Sequence, residues 1–320
     1  MDAIEAESLV KTYPGDVRAL DGLTFAVPEG TVFGLLGPNG AGKTTAVKIL
    51  TTLSRADSGT ARVAGHDVVR EASQVRREIG VVAQKHAVDP ALTGRENLRL
   101  QGRIFGMDKS DLERRAQGLL EEVGLADAAD RVTRGYSGGM QRRLDIAMAL
   151  VHRPSVLFMD EPTTGLDPEV RVAMWREIER LSEGEGLTVL LTTHYLEEAD
   201  RLAANLAIVD AGRVVAAGTP DELKGELEGD SIHVELAESP DGAAGALEGL
   251  EGVVEVQLDG RVLRARVEHG ARAVPLVLQA LESHGIAVES VTVSRPSLDD
   301  VYLRYTGRAF SEADEVTTRR

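Results

Sequence analysis

Residues 37 to 45 read GPNGAGKTT, between the apolar run TVFGLL and the segment AVKILTTL. Gly37, Gly42, Lys43 and Thr44 meet the spacing G-x-x-x-x-G-K-[ST], in a strand–loop–helix setting. That pattern constrains the fold more than any other stretch. The intervening Pro38, Asn39, Gly40 and Ala41 complete a loop whose N–H groups can point inward at a phosphate chain, and Thr45 follows it. Lys43 supplies a cation for the outer phosphates. The Thr44 hydroxyl is a ligand of the kind Mg²⁺ takes, and the helix that starts here adds its positive end. A chance glycine turn bearing a lysine has no need of this setting.

Four further apolar runs follow: IGVVAQ (79–84), SVLFMD (155–160), LTVLLTTH (187–194) and LAIVDAG (206–212). Short runs without alternation suit strands covered on both faces, as in a parallel sheet. Helical patterns lie between several of them. One is 165–183, with Met174, Ile178 and Leu181 at helical spacing. The alternation predicts an α/β core. Residues 90–152 read as helix throughout and predict a helical insertion. After a Gly- and acid-rich stretch, KGELEGDS (224–231), the order is strand IHVELA, helix GAAGALEGL, strand GVVEVQL, strand RVLRARVE, helix ARAVPLVLQALESHG, strand AVESVTVS. That is the β-α-β-β-α-β order of a small α+β, ferredoxin-like domain. Ser297, with Asp300 three residues on, caps a closing helix bearing Leu298, Val301, Tyr302 and Tyr305 on one stripe. The expected division is 1–224 (helical subdomain about 90–152), 230–307, and a disordered tail at 308–320.

Two more segments carry chemistry. SVLFMDEP ends a buried strand in two acids. Asp160 is placed to hold Mg²⁺, through water, and Glu161 to polarise an attacking water. YSGGMQRR starts a helix with Ser137, Gly138 and Gly139, so several N–H groups and a small hydroxyl face outward, a second anion site. Alone, it could be a plain N-cap before a glycine turn.

Composition excludes other classes. Net charge is −16 and aromatics are 3% of 320 residues, which disfavours a polyanion surface or base-stacking platform. There is no cysteine, hence no disulfide or thiolate chemistry. The remaining histidines, at 66, 86, 152, 233, 269 and 284, show no ligand spacing. The start MDAIEAESL lacks signal-peptide regions, and no apolar run reaches the roughly 18 residues of a membrane span. Work at a membrane would need a partner.

Together the loop, the acidic strand end and YSGGMQ resemble the nucleotide-binding subunits of ABC transporters over residues 3–220. YSGGMQ is similar to their signature, usually LSGGQ, with Met140 where glutamine is usual. The resemblance implies a P-loop NTPase (RecA-like) core that binds ATP and Mg²⁺. It implies that Tyr13 stacks on adenine, that Gln84 is the Q-loop glutamine and adds to the Mg²⁺ ligands, that Asp167 is the acid of the D-loop TTGLDP, and that His194 is the switch histidine. It also implies a head-to-tail homodimer. Each ATP would lie between the Gly37–Thr45 loop of one copy and Ser137–Gly139, with Met140, of the other.

YSGGMQRRLDIA, LLTTHYLEEADRLA and SLDDVYLRYTG resemble more narrowly the daunorubicin/doxorubicin-resistance ATP-binding proteins of bacterial exporters. This implies a separate permease of about six spans, a drug, antibiotic or lipid-like cargo, and a peripheral place on the cytoplasmic side of the membrane. The C-terminal domain would regulate or help dimerise. The rival readings are a soluble ABC ATPase of DNA repair or translation, and an importer ATPase. The single cassette and the absence of cysteine and of long heptads argue against the first. Importers usually carry a barrel-like C-terminal domain instead.

Overall fold

The computed structural model describes residues 1–227, 229–238, 242–247, 249–250, 252–308 and 310. They fall into two compact units, Met1–Pro220 and a second that begins at Asp221. In chain order the first carries β1 (Asp2–Tyr13), β2 (Val17–Pro28), β3 (Val32–Leu36), α1 (Lys43–Leu50), β4 (Ser58–Val63), β5 (His66–Asp67), α2 (Ala72–Glu78) and β6 (Ile79–Val82). Then come α3 (Gly94–Ile104), α4 (Lys109–Glu122), α5 (Gly138–Leu150), β7 (Val156–Asp160), α6 (Pro168–Glu185), β8 (Thr188–Thr193), α7 (Leu196–Leu202), β9 (Asn205–Asp210) and β10 (Arg213–Gly218).

The core sheet runs β10-β9-β3-β8-β7-β6. All its pairs are parallel except β10 with β9. Every residue of β3, β7 and β8 is buried, which is why those segments read as unbroken apolar runs. Each large aliphatic side chain so buried contributes about 1.5–3 kcal/mol. The ends of β3, β7 and β8 set Gly37, Glu161 and His194 side by side, because Gly37 N donates to Thr193 O at 3.2 Å and Glu161 N to Thr192 O at 3.1 Å.

A second, antiparallel sheet, β2-β1-β4-β5, was not foreseen from the sequence. Strand β1 pairs with β2 through several register shifts, one spanning Ser8, whose φ is +50°. Each shift breaks the two-residue alternation by which a half-buried strand is read.

The stretch 90–152 folds as α3, α4 and α5 around Leu98, Leu112, Leu119, Leu120 and Leu144. Thr93 and Glu96 form a capping box on α3, worth about 1 kcal/mol. At Gly102 a Cβ would strike Leu112, so the glycine permits close approach of α3 and α4.

The second unit begins within α8 (Pro220–Gly225) and continues with β11 (Asp230–Leu236), β12 (Val253–Asp259), β13 (Val262–Val267), α9 (Gly270–Ser283), β14 (Val288–Ser294) and α10 (Leu298–Thr306). Its antiparallel sheet runs β12-β13-β11-β14. Two expectations are corrected. The segment GAAGALEGL forms no regular helix among its described residues. Gly242 and Gly249 take φ of +98° and +87°, and Ala243 and Leu247 instead bury themselves from a chain of turns. The expected free tail from 308 is anchored at Phe310, 5% exposed and edge-on to Tyr302 at 4.9 Å. Residues 309 and 311–320 lie outside the described residues. The Ser297–Asp300 capping box on α10 is present.

Candidate nucleotide site

Helix α1 starts at Lys43 behind Gly42, which has a φ of +108° and gives no side-chain cap. A Cβ at Gly42 would collide with Ala19 O, and one at Gly37 with Val209 O. Glycine is required at both positions by space, and at Gly42 by dihedral as well. The first N–H groups of α1 therefore receive no capping oxygen from Gly42 and are available to an anion.

Lys43 is 4% exposed. Its Nζ donates to Gly37 O at 2.6 Å and Pro38 O at 3.0 Å, and stands 3.7 Å from Glu161 Oε1. Asp160 Oδ1 accepts from Thr192 Oγ1 at 2.6 Å and from Thr44 Oγ1 at 3.2 Å. One carboxylate and one hydroxyl thus converge at the helix start. That donor set suits Mg²⁺, a hard cation that keeps water and phosphate oxygens as its other ligands.

Glu161 is the hub. Its backbone is left-handed, φ +48°, a strain that functional residues commonly carry. Oε2 accepts from Gln84 Nε2 at 2.9 Å and from Thr164 Oγ1 at 3.3 Å. His194 Nδ1 lies 3.4 Å from Oε1, within ion-pair range but outside hydrogen-bond geometry. Burial pushes the carboxyl up. His194, Lys43 and Gln84 together outweigh burial and hold it below the ordinary carboxylate range, so it is ionised at neutral pH.

The structure thus gathers Gly37, Lys43, Thr44, Gln84, Asp160, Glu161 and His194. Tyr13 ends β1, half-buried, with Lys11 Nζ 5.8 Å from its ring centre. Asp167 is the exposed N-cap of α6. The Ser137 turn is elsewhere. Ser137 caps α5, accepting from Met140 N at 3.3 Å. With Gly139 it lines a different cleft, of about 510 Å³, together with Arg143, Glu169 and Val170. Arg131 braces this turn, with its Nη2 at 2.9 Å from Gly135 O and 3.6 Å from the Met140 sulfur.

Sequence reading missed three supports. Thr192 holds Asp160. Glu198 on α7, fully buried, accepts from Thr163 Oγ1 at 2.7 Å and Trp175 Nε1 at 3.0 Å, joining the helix after His194 to the segment after Glu161. Arg142 on α5 reaches the same segment. No local signal in the sequence marked the last.

A family model described as ABC transporter matches residues 20–164, and one described as ATP-binding protein DrrA1-3-like, C-terminal domain, matches 218–306. The chain is 52% identical to daunorubicin resistance ATP-binding protein DrrA3 of Streptomyces coeruleorubidus, over 95% of this chain and 96% of that one. Among solved structures it resembles cbiO1 from Clostridium perfringens, part of the ABC transporter complex cbiONQ. There the TM-score is 0.64 at 26% identity, covering 70% of this chain and 91% of that one. It also resembles the ATP-binding cassette MJ0796, solved as a post-hydrolysis dimer bound to ADP and Pi. There the TM-score is 0.61 at 27% identity, covering 68% of this chain and 98% of that one.

Proposed function

We infer the function of this chain from its family, for it belongs to the ABC transporter ATP-binding proteins, among the daunorubicin/doxorubicin-resistance members. It binds and hydrolyses ATP as the energy-supplying subunit of an exporter. The C-terminal match sets aside the readings as an importer ATPase or a soluble repair or translation factor.

The observation that carries the mechanism is the closed set of contacts around Glu161. Lys43 faces Glu161 and two loop carbonyls. Triphosphate oxygens compete for that ammonium, so ATP binding draws Lys43 away and leaves the Glu161 carboxylate to take a proton from water. Gln84 and His194 keep the carboxylate aimed while this happens. Mg²⁺, held by Thr44 and Asp160 with Gln84 beside them, would neutralise charge on the phosphates. Tyr13 offers the adenine a ring face.

The Ser137–Gly139 turn opens onto its own cleft. It would complete an ATP site by meeting the loop of a second copy, head to tail. Asp167, exposed at the start of α6, would lie in that junction. Hydrolysis then releases the pair.

The membrane partner would seat on a groove of about 440 Å³ lined by Leu53, Ile104, Phe105, Val81, Met148 and Ala87. Leu53 and Ile104 are 75% and 70% exposed at its rim. The groove is largely apolar, and Ala87 is three residues from Gln84, so a helix end inserted there would feel the state of the site. No described helix of this chain is long and apolar enough to cross a membrane. The chain would therefore work peripherally, on the cytoplasmic side, against an integral-membrane permease. The cargo would be an amphipathic drug or antibiotic. The second unit, with its own core, would regulate the dimer or hold it together.

The test is capture of the partner. Tagged Glu161→Gln chain, solubilised from its native host in mild detergent with MgATP, should bring down an integral-membrane protein of about six spans. Recovery of ribosomes or DNA instead would leave the ATP site standing and sink the exporter.

A further inference from the structure

We propose that Arg142 and Asp145 are positioning residues that lock helix α5, and with it the Ser137–Gly139 turn, to the Gln84 segment and the Glu161–Pro162 turn of the same subunit, so that the two ATP sites of a dimer report on each other. The inference rests on the head-to-tail dimer proposed above.

The two residues are three apart on α5 and so share one face. Both are buried, at 3% and 5% exposure. The Arg142 guanidinium bridges two separate segments. Nε donates to Pro162 O at 2.8 Å, Nη2 to Glu161 O at 3.4 Å, and Nη1 to Ala83 O at 2.5 Å. Asp145 grips the far end of the Gln84 segment. Its Oδ1 accepts from Ala87 N at 2.9 Å, and Oδ2 lies 2.5 Å from His86 Nδ1. Helix α5 therefore holds residues 83 and 87, with Gln84 between them bonded to Glu161. The contacts close a ring: α5, Ala83, Gln84, Glu161, Pro162, and back to α5.

Only arginine suits this place. A planar fork with donors in several directions spans two segments, whereas an ammonium is a point. Burial depresses the Arg142 pKa, and the charges of Asp145, Asp160 and Glu198 oppose that. A buried charge gains little stability over a well-packed apolar side chain. What this one fixes is geometry. Arg142 sits about one helical turn, roughly 6 Å, from Gly138. A shift of Gln84 or Glu161 on nucleotide binding must move α5 as a body, and its first turn serves the nucleotide of the other copy. The buried Asp145 carboxylate also lies in the groove beside Ala87, so a docked partner would act on the same ring.

The test is steady-state ATP hydrolysis and MgATP-driven dimer formation by the full chain, with Arg142→Lys and Asp145→Asn beside it. The lysine keeps the charge and loses the fork. The asparagine keeps an acceptor for Ala87 N and loses the charge facing His86. The wild type should respond to ATP with a Hill coefficient above 1. Arg142→Lys should lower kcat about tenfold or more, leave KM within about threefold, and bring the Hill coefficient to about 1. Asp145→Asn should shift the same quantities by less, and it decides the matter if Arg142→Lys does not fold. Unchanged kinetics in both variants, a rise in KM with kcat kept, or a non-cooperative wild type would overturn the coupling while leaving the ATPase reading intact. A wild type that neither binds MgATP nor dimerises would overturn both.

Discussion

Glu161→Gln should reduce ATP turnover by about 10²–10⁴-fold, the range over which a positioned general base acts, while ATP still binds. The substitution keeps the side chain's size and an oxygen for Gln84 and Thr164 to donate to. It removes the negative charge that faces Lys43 at 3.7 Å and His194 at 3.4 Å. ATP affinity should hold or rise, because Lys43 no longer leaves a carboxylate to meet phosphate. With hydrolysis blocked and the phosphates bridging two copies, the variant should persist as a dimer in MgATP. Sedimentation at saturating MgATP checks this. A chain that stays monomeric there would remove the sandwich mechanism.

Lys43→Ala acts at the opposite pole. The ammonium is buried and already desolvated, so its exchange from carbonyls to phosphate oxygens costs little reorganisation. Hydrogen bonds to a charged partner contribute about 1.5–3 kcal/mol each, so losing two should weaken ATP binding by about 10²–10⁴-fold. Turnover should fall with it. The fold should survive, since only the two Nζ bonds to loop carbonyls are lost, while Gly37 and Gly42 still fit where a Cβ would collide and the Ala46 N to Gly42 O bond of 2.9 Å still starts α1. Glu161 would lose one of the charges that hold its carboxyl down. Full turnover by this variant would overturn the site.

Much of this was legible in the sequence where chemistry demands fixed residue types at fixed spacing on one segment. The Gly37–Thr45 loop must have glycine where only glycine fits, and Asp160 and Glu161 must follow an apolar strand. The α10 capping box was readable for the same local reason. The antiparallel sheet was not, because register shifts along β1 erase alternation. The alanines and leucines of GAAGALEGL suggested a helix, yet Gly242 and Gly249 at positive φ break one. The α5 ring was hidden for a different reason. Arg142 and Asp145 find their partners 20 and 58–59 residues away, and nothing local marks a buried arginine as distinct from one on a solvated face.

The central claim is that one ATP is gripped by the loop of one copy and the Ser137 turn of another. The chain has no cysteine, so engineered thiols can be placed without background. Asn39→Cys puts one on the loop. Gly138→Cys puts the other where a Cβ meets open space. The two single variants, mixed and gently oxidised, should form a 39–138 disulfide-linked dimer with MgATP and little without it, and neither alone should cross-link. A mixture that stays uncross-linked in saturating MgATP, or that links 39 to 39, would contradict the account.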